Sequence, residues 1–140
     1  MKLNISILTP DGIVLKRDDV NEVILPTSTG QIGILPNHAS LVTGIEIGVL
    51  RIRFDDAWAP FLAFGGAATV SKNNVQVLLT TIEEVPDIDT EEAKAQLSFS
   101  RDQAKKATTS KEKLTAQQNL KKALATFQAI TFINSAKQKT

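Results

Sequence analysis

Residues 22–53 read EVILPTSTGQIGILPNHASLVTGIEIGVLRIR, and this stretch decides the fold. Within it, Gly30-Gln31-Ile32-Gly33-Ile34-Leu35-Pro36-Asn37-His38 holds two glycines, a proline and the chain's one histidine. Glycine opens backbone angles closed to other residues, and proline withdraws an amide donor. The spacing predicts a shaped, rigid loop between strands. Catalysis finds no support there, because the chain has no cysteine and no Ser/Asp pair spaced like a triad around His38. The glycines do not form a phosphate loop either, since no lysine follows them and no helix opens after them. On its chemistry, His38 reads as a structural or interface histidine rather than a catalytic one.

Outward from this stretch, the first half of the chain is strand and turn. Leu3, Ile5 and Ile7 alternate with Asn4 and Ser6, and Pro10-Asp11-Gly12 turns the chain into an extended Ile13–Leu15. Val20–Leu25 is a strand stopped by Pro26. Leu41–Ile45 and Val49–Phe54 follow, divided by Gly44 and Gly48, and the alternation of Val49, Arg51 and Arg53 predicts one wet face. Asp55-Asp56 marks a hairpin turn before Trp58–Phe64. Gly65-Gly66 interrupts, Ala68–Val70 extends, Lys72-Asn73-Asn74 turns, and Val75–Thr80 returns. Short strands at this spacing indicate an antiparallel sandwich or barrel, with Trp58 and the phenylalanines expected in its core.

Pro86 closes the β unit, since the residue before proline is pushed toward extended geometry. Asp89 with Glu92, and Thr109 with Glu112, are two capping-box pairs that start two helices. Ala93, Leu97, Ser100, Ala104 and Ala107 form a small-residue stripe on the first helix. Leu120, Ala123, Leu124, Phe127, Ile130 and Ile133 form the apolar stripe of the second. The chain therefore reads as an amino-terminal antiparallel β-sandwich over residues 1–86, followed by a carboxy-terminal antiparallel α-helical hairpin over residues 87–140.

Charge divides the same way. Residues 1–89 carry 6 Lys/Arg against 11 Asp/Glu, and residues 90–140 carry 10 against 4, although the whole chain sums to +1. All 7 glycines and all 5 prolines lie at or before Pro86, so composition changes where charge does. No window approaches the roughly 18 consecutive apolar residues of a membrane span. Met1-Lys2 runs straight into strand alternation with no apolar signal region. The lysines of the second half are not interleaved with aromatics for base stacking, which speaks against nucleic acid. The adjacent acids Asp18-Asp19, Asp55-Asp56 and Glu83-Glu84 fall at turns or strand ends, with no spacing that predicts a metal site.

Three runs carry a resemblance: Glu22-Val23-Ile24-Leu25-Pro26-Thr27, then Gly30 through Ala39, then Ile47-Gly48-Val49-Leu50-Arg51-Ile52-Arg53. They resemble the epsilon subunit of F-type, proton-translocating ATP synthases, and the plastid and cyanobacterial members most. Gly65-Gly66 with the alternation after it, and the helical pair, are similar to the rest of that family, so the resemblance spans nearly the whole chain. It implies a non-catalytic rotor subunit at the foot of the central stalk, with no cofactor or metal of its own and no homo-oligomer. Its sandwich joins the gamma subunit to the membrane c-ring, and its hairpin restrains ATP hydrolysis by the alpha and beta subunits of the catalytic head. Carried over residue by residue, the resemblance implies a c-ring contact at Gln31 and gamma contacts at His38 and Thr43. It implies an inhibitory contact to the beta subunits at Lys121 and Lys122. The implied location is the stromal side of the chloroplast thylakoid membrane, peripheral through the complex, or the cytoplasmic face of a bacterial or cyanobacterial membrane. Residues alone leave one alternative: a free-standing β-sandwich binding module whose basic hairpin docks on acidic protein or nucleic acid.

Overall fold

The computed structural model describes residues 2–138, with side chains described through residue 133. The chain divides after Glu84 into two compact units. The first contains β1 (Leu3–Thr9), β2 (Gly12–Val20), β3 (Glu22–Thr27), β4 (Gly30–Ile34), β5 (Leu41–Phe54), β6 (Ala57–Ser71), β7 (Asn74–Leu79) and β8 (Ile82–Glu84). The second contains α1 (Thr90–Lys106) and α2 (Ser110–Gln138).

The two longest strands, β5 and β6, pair in one register from Leu41↔Val70 to Phe54↔Ala57. Their other neighbours change along their length. β7 pairs with β6 over Gly66–Ser71, whereas β8 pairs with it over Phe61–Ala63. β3 pairs with β5 only over Arg51–Arg53. One layer of the sandwich is therefore β2-β1-β7 with the end of β6 and the start of β5. The other is β8 with the start of β6, the end of β5, β3 and β4. Both layers feed one aliphatic core that includes Leu3, Ile5, Ile7, Val23, Leu25, Ile34, Leu50, Ile52 and Val77.

Glycines that read as strand breaks in the sequence are bends within continuous strands. Gly65 takes a φ of 77°, and Gly66 lies so close to β7 that an added Cβ would sit 2.0 Å from the carbonyl oxygen of Leu78. The expected turns at Asp55-Asp56 and Lys72-Asn73 both form, each with two consecutive positive φ values. That is the backbone a two-residue type I′ hairpin turn requires, because its twist matches that of the strands.

Four expectations change. Gly30–Ile34, expected as loop, is strand β4 in a hairpin with β3, Thr27 facing Gly30. Pro26 lies inside β3 rather than ending it, beyond Ile24 where the β3–β5 ladder stops, so its missing N–H costs no bond on that side. The sheet is antiparallel throughout except that β1 runs parallel to β7, a direction that side-chain periodicity does not encode. Finally, the aromatics are not the core. Phe54, Trp58, Phe61 and Phe64 are half-buried, and Phe99 is 64% exposed. Phe54 instead lies under the Arg17 guanidinium, 3.8 Å from its ring centre.

In the second unit, Asp89 caps α1 by accepting the Glu92 N–H at 2.7 Å. Glu91 and Glu92 in the first turn, and Lys105 and Lys106 in the last, suit the helix dipole. The expected stripe holds, with Ala93 and Leu97 buried and Ser100, Ala104 and Ala107 half-buried. At the start of α2, Thr109 accepts the Glu112 N–H at 3.1 Å. The Glu112 carboxyl in turn accepts from the N–H and hydroxyl of Thr108. On α2, Ala123 and Ile130 are buried as expected, but Leu124 is 38% exposed while Ala125, Thr126 and Ala129 are buried.

Gly66→Ala is expected to destabilise the sandwich by roughly 2–4 kcal/mol, because backbone must move to admit the methyl group. Gly12→Ala, with nothing within 4 Å of its added Cβ, carries only the left-handed backbone cost of about 1 kcal/mol. Urea unfolding of the two variants checks the difference. The bonds from Thr108 and Thr109 hold the Glu112 carboxyl below its usual range. Its support of the α1–α2 turn is complete above the ordinary carboxylate pKa and lost as pH falls through the depressed one. Amide exchange at Thr108 and Thr109 should rise there in wild type, and Glu112→Gln should remove that pH step.

Candidate functional site

The residues singled out in the sequence fall on two surfaces of the sandwich and one of the helical unit. Gln31 is exposed on β4, one residue past the β3–β4 turn and opposite buried Pro26. The turn is pinned by the Thr27 hydroxyl, which donates to the Gly30 carbonyl and lies 3.3 Å from the Thr29 hydroxyl. β4 pairs only with β3, so it is an edge strand. An amide on a pinned hairpin at a sheet edge is a preorganised polar contact point.

His38 lies beyond the other end of β4. Four residue steps at about 3.3 Å each put the ends of that strand about 13 Å apart. The loop closes on itself, with the His38 N–H donating to the Leu35 carbonyl at 3.1 Å. It is tied to the β6–β7 turn by the Asn37 N–H, which donates to Asn73 Oδ1 at 2.6 Å. The half-buried His38 ring holds Nδ1 at 2.7 Å from the Ala39 carbonyl. A carbonyl only accepts, so Nδ1 carries the proton and Nε2 stays available. Thr43, the third residue of β5, is half-buried opposite Ala68, and its hydroxyl donates to the Gly44 carbonyl at 3.2 Å. Gln31 and His38 are thus not brought together, whereas His38 and Thr43 share the loop-to-β5 region.

Sequence reasoning missed the surface beside Thr43. Ladder pairing aligns Val42, Thr69, Gln76, Ser6 and Lys16 in one row across the outer face of the first layer. The next row is Gly44, Ala67, Leu78, Leu8 and Ile13, almost wholly apolar. Val42 is 77%, Ile13 67% and Leu78 52% exposed. The signal lay in Val42 and Gly44 of β5, which stand on the side away from Leu41, Thr43 and Ile45. A contiguous exposed apolar row of this kind marks an interaction surface.

On α2, Lys121 and Lys122 are exposed between half-buried Leu120 and buried Ala123. The Thr126 hydroxyl, in a residue only 5% exposed, donates back to the Lys122 carbonyl at 2.9 Å. Thr126 therefore belongs to the packed side of α2 and not to its basic surface. Among the described residues, no group of three His, Cys, Asp or Glu side chains converges to hold a metal ion. No described helix is long and apolar enough to cross a membrane.

Residues 2–85 match the family described as ATP synthase, Delta/Epsilon chain, beta-sandwich domain. Over 130 residues the chain is 45% identical to the chloroplastic ATP synthase epsilon chain of Cyanidium caldarium, covering 93% of this chain and 97% of that one. The chain belongs to the ATP synthase epsilon-chain family. The family's chloroplastic member from Pelargonium hortorum is 43% identical, with 96% and 100% of the two chains covered. The fold is also that of a chain in the Euglena gracilis mitochondrial ATP synthase structure of OSCP, F1 and c-ring. That likeness has a TM-score of 0.80 at 18% identity and covers 92% of this chain and 81% of that one. A chain in the Tetrahymena thermophila mitochondrial ATP synthase central stalk and c-ring structure gives 0.64 at 19% identity, covering 93% and 97%.

Thr126→Lys is expected to destabilise the helical unit by at least about 3 kcal/mol, since it places an unpaired charge on the packed side. Thr126→Val removes a hydroxyl that merely back-bonds to its own helix, and should stay within about 1 kcal/mol of wild type. Thermal melts followed by circular dichroism at the helical signal measure both.

Proposed function

We propose that the chain is the epsilon subunit of a chloroplast ATP synthase central stalk, a non-catalytic rotor part that couples the gamma subunit to the c-ring. The match over nearly the full length of chloroplastic epsilon chains carries this reading. The separation of Gln31 from His38 and Thr43 supports it, because a coupling subunit needs two surfaces for two partners. In this reading Gln31, on its pinned hairpin, meets the polar loops of the c-ring. His38, Thr43, Val42 and the neighbouring apolar row that starts at Gly44, Ala67 and Leu78 meet gamma, where exposed apolar area is buried and a locked loop limits the entropy lost on binding. Residues 1–86 do the coupling, at the stromal side of the thylakoid membrane.

Residues 87–140 act as the brake on ATP hydrolysis. Lys121 and Lys122 reach an acidic stretch of the beta subunits, each exposed contact contributing roughly 0.2–1 kcal/mol and weakening with salt. With Thr126 inside the helical packing, the basic patch rests on these two neighbours, which makes for a mild, salt-sensitive brake.

Reconstitution into epsilon-depleted enzyme tests both halves. A chain ending at Ile88 should restore proton-coupled ATP synthesis while leaving hydrolysis faster than with the full chain. Lys121→Glu with Lys122→Glu should speed hydrolysis at low salt, roughly two- to thirtyfold from two such contacts. It should leave binding to gamma unchanged. A short chain that rebinds but leaves the membrane proton-leaky refutes the coupling role of the sandwich. Equal low-salt hydrolysis with wild type and double variant refutes the role of the lysines.

A further inference from the structure

We propose that Asp11-Gly12, in the β1–β2 turn, is a modification site at which the folded chain isomerises spontaneously to isoaspartate. The product is a substrate for a carboxyl methyltransferase that uses S-adenosylmethionine. The site is separate from Gln31, His38 and Thr43, and the proposal does not depend on the stalk reading.

Sequence supplies the first argument. Asp11-Gly12 is the one Asp–Gly pair in the chain, and no Asn–Gly pair is present. An aspartyl carboxyl lies near enough to the next backbone nitrogen to close a cyclic imide, and glycine puts no side chain in the way. The Gly12 nitrogen attacks Cγ of Asp11 in its acid form. The N–Cγ bond forms, the Cγ–OH bond breaks, and the OH leaves as water with the nitrogen's proton. Water then adds back to the imide. Cleavage of N–Cγ restores aspartate. Cleavage between the nitrogen and the Asp11 main-chain carbonyl carbon leaves the chain joined through Cγ, with the main-chain carboxyl free. No oxidant or reductant takes part, and the mass is unchanged.

The fold leaves this pair open to the reaction. Pro10 through Val14 are exposed, and Gly12 has a φ of 124° with nothing within 4 Å of an added Cβ. The Asp11 N–H donates to Thr9 Oγ1 at 3.3 Å, while its carboxylate makes no hydrogen bond or ion pair among the described residues. The other aspartates lack this combination. Asp19 is bound by Arg17, and Asp89 caps α1. Asp18, Asp55, Asp56, Asp87 and Asp102 each precede a residue whose side chain hinders the nitrogen.

Ring closure also needs the turn to open, and the neighbouring ladder permits it. Thr9↔Gly12 is the last pair before the turn. Ile7 faces Leu15 but Leu8 faces Ile13, so Val14 is an extra residue that interrupts the ladder close by. Among the described residues β2 pairs only with β1. Ile13 and Val14 are 67% and 46% exposed, so little burial opposes a local opening that spares the pairs from Ile7↔Leu15 onward. Isoaspartate adds a methylene to the main chain of the turn. The pairs Thr9↔Gly12 and Leu8↔Ile13 then lose their register, and the first half of β2 is released while the rest of the sandwich keeps its ladder.

The test keeps the full chain at neutral pH for days to weeks and probes aliquots with recombinant isoaspartyl methyltransferase and S-adenosylmethionine. Methyl acceptance should rise with time and map by tandem mass spectrometry to the peptide that contains Asp11. Its rate should lie within about tenfold of the rate in urea, because a turn that opens at small cost loses little reactivity. Asp11→Glu should abolish the acceptance, since the longer side chain closes a less favoured ring, and Gly12→Ala should slow it. In the isomerised chain, amide exchange should rise at Gly12–Val14 and hold at Ile7 and Leu15. The proposal is overturned by acceptance that does not rise, that maps elsewhere or that survives Asp11→Glu. A folded-state rate further below the urea rate, a Gly12→Ala rate equal to wild type, or unchanged exchange at Gly12–Val14 overturns it as well.

Discussion

The ladder between β5 and β6 is the constraint on which the sandwich depends. It keeps one register from Leu41↔Val70 to Phe54↔Ala57, yet its two ends lie in different layers. A one-residue slip would exchange core and solvent faces in both layers at once, so burial of Ile45, Leu50, Ile52, Ala63, Ala68 and Val70 fixes the register many times over. The bend at Gly65-Gly66 lets a single hairpin serve two layers. Close passage of Gly66 against the Leu78 carbonyl then sets where β7 ends and the line toward β8 begins.

This arrangement places the residues proposed as contacts. Because the start of β5 is paired only with β6, Thr43 and Val42 stand near an open edge, and the loop that carries His38 reaches them from the far end of β4. Tying that loop to Asn73 joins its position to the β6–β7 turn, which the same ladder positions. Gln31 is held independently, by the β3–β4 hairpin.

The helical unit follows different physics. Its buried positions are mostly alanine, with Leu97 and Ile130 the larger members, so helices approach closely while little apolar area is buried per residue. Caps at Asp89 and Thr109, and dipole-matched charges on α1, supply stability that packing of small side chains does not. A unit of this kind sits nearer the low end of local stability than the aliphatic sandwich.

The sequence by itself determined the two-unit order, the strand-and-turn character of the first unit, the places of both hairpin turns and both helix starts. These follow from local chemistry: side-chain alternation, residues tolerant of positive φ, and side-chain oxygens placed to cap helices. It also read His38 as a structural or interface histidine because no partner for catalysis was present, while Gln31 and Thr43 were singled out by the family resemblance. Only the tertiary structure decided that Gly30–Ile34 is a strand, since two glycines in five residues hide a pairing that Val23 and Leu25 supply from across the hairpin. Only it decided that β1 runs parallel to β7, that the rings lie at the rim of an aliphatic core, and that Thr126 faces inward while Leu124 faces out. The apolar row of Gly44, Ala67, Leu78, Leu8 and Ile13 exists because pairing aligns residues from five strands, and no spacing along one strand contains that alignment. Periodicity reports that a residue has a partner; the ladder decides which one.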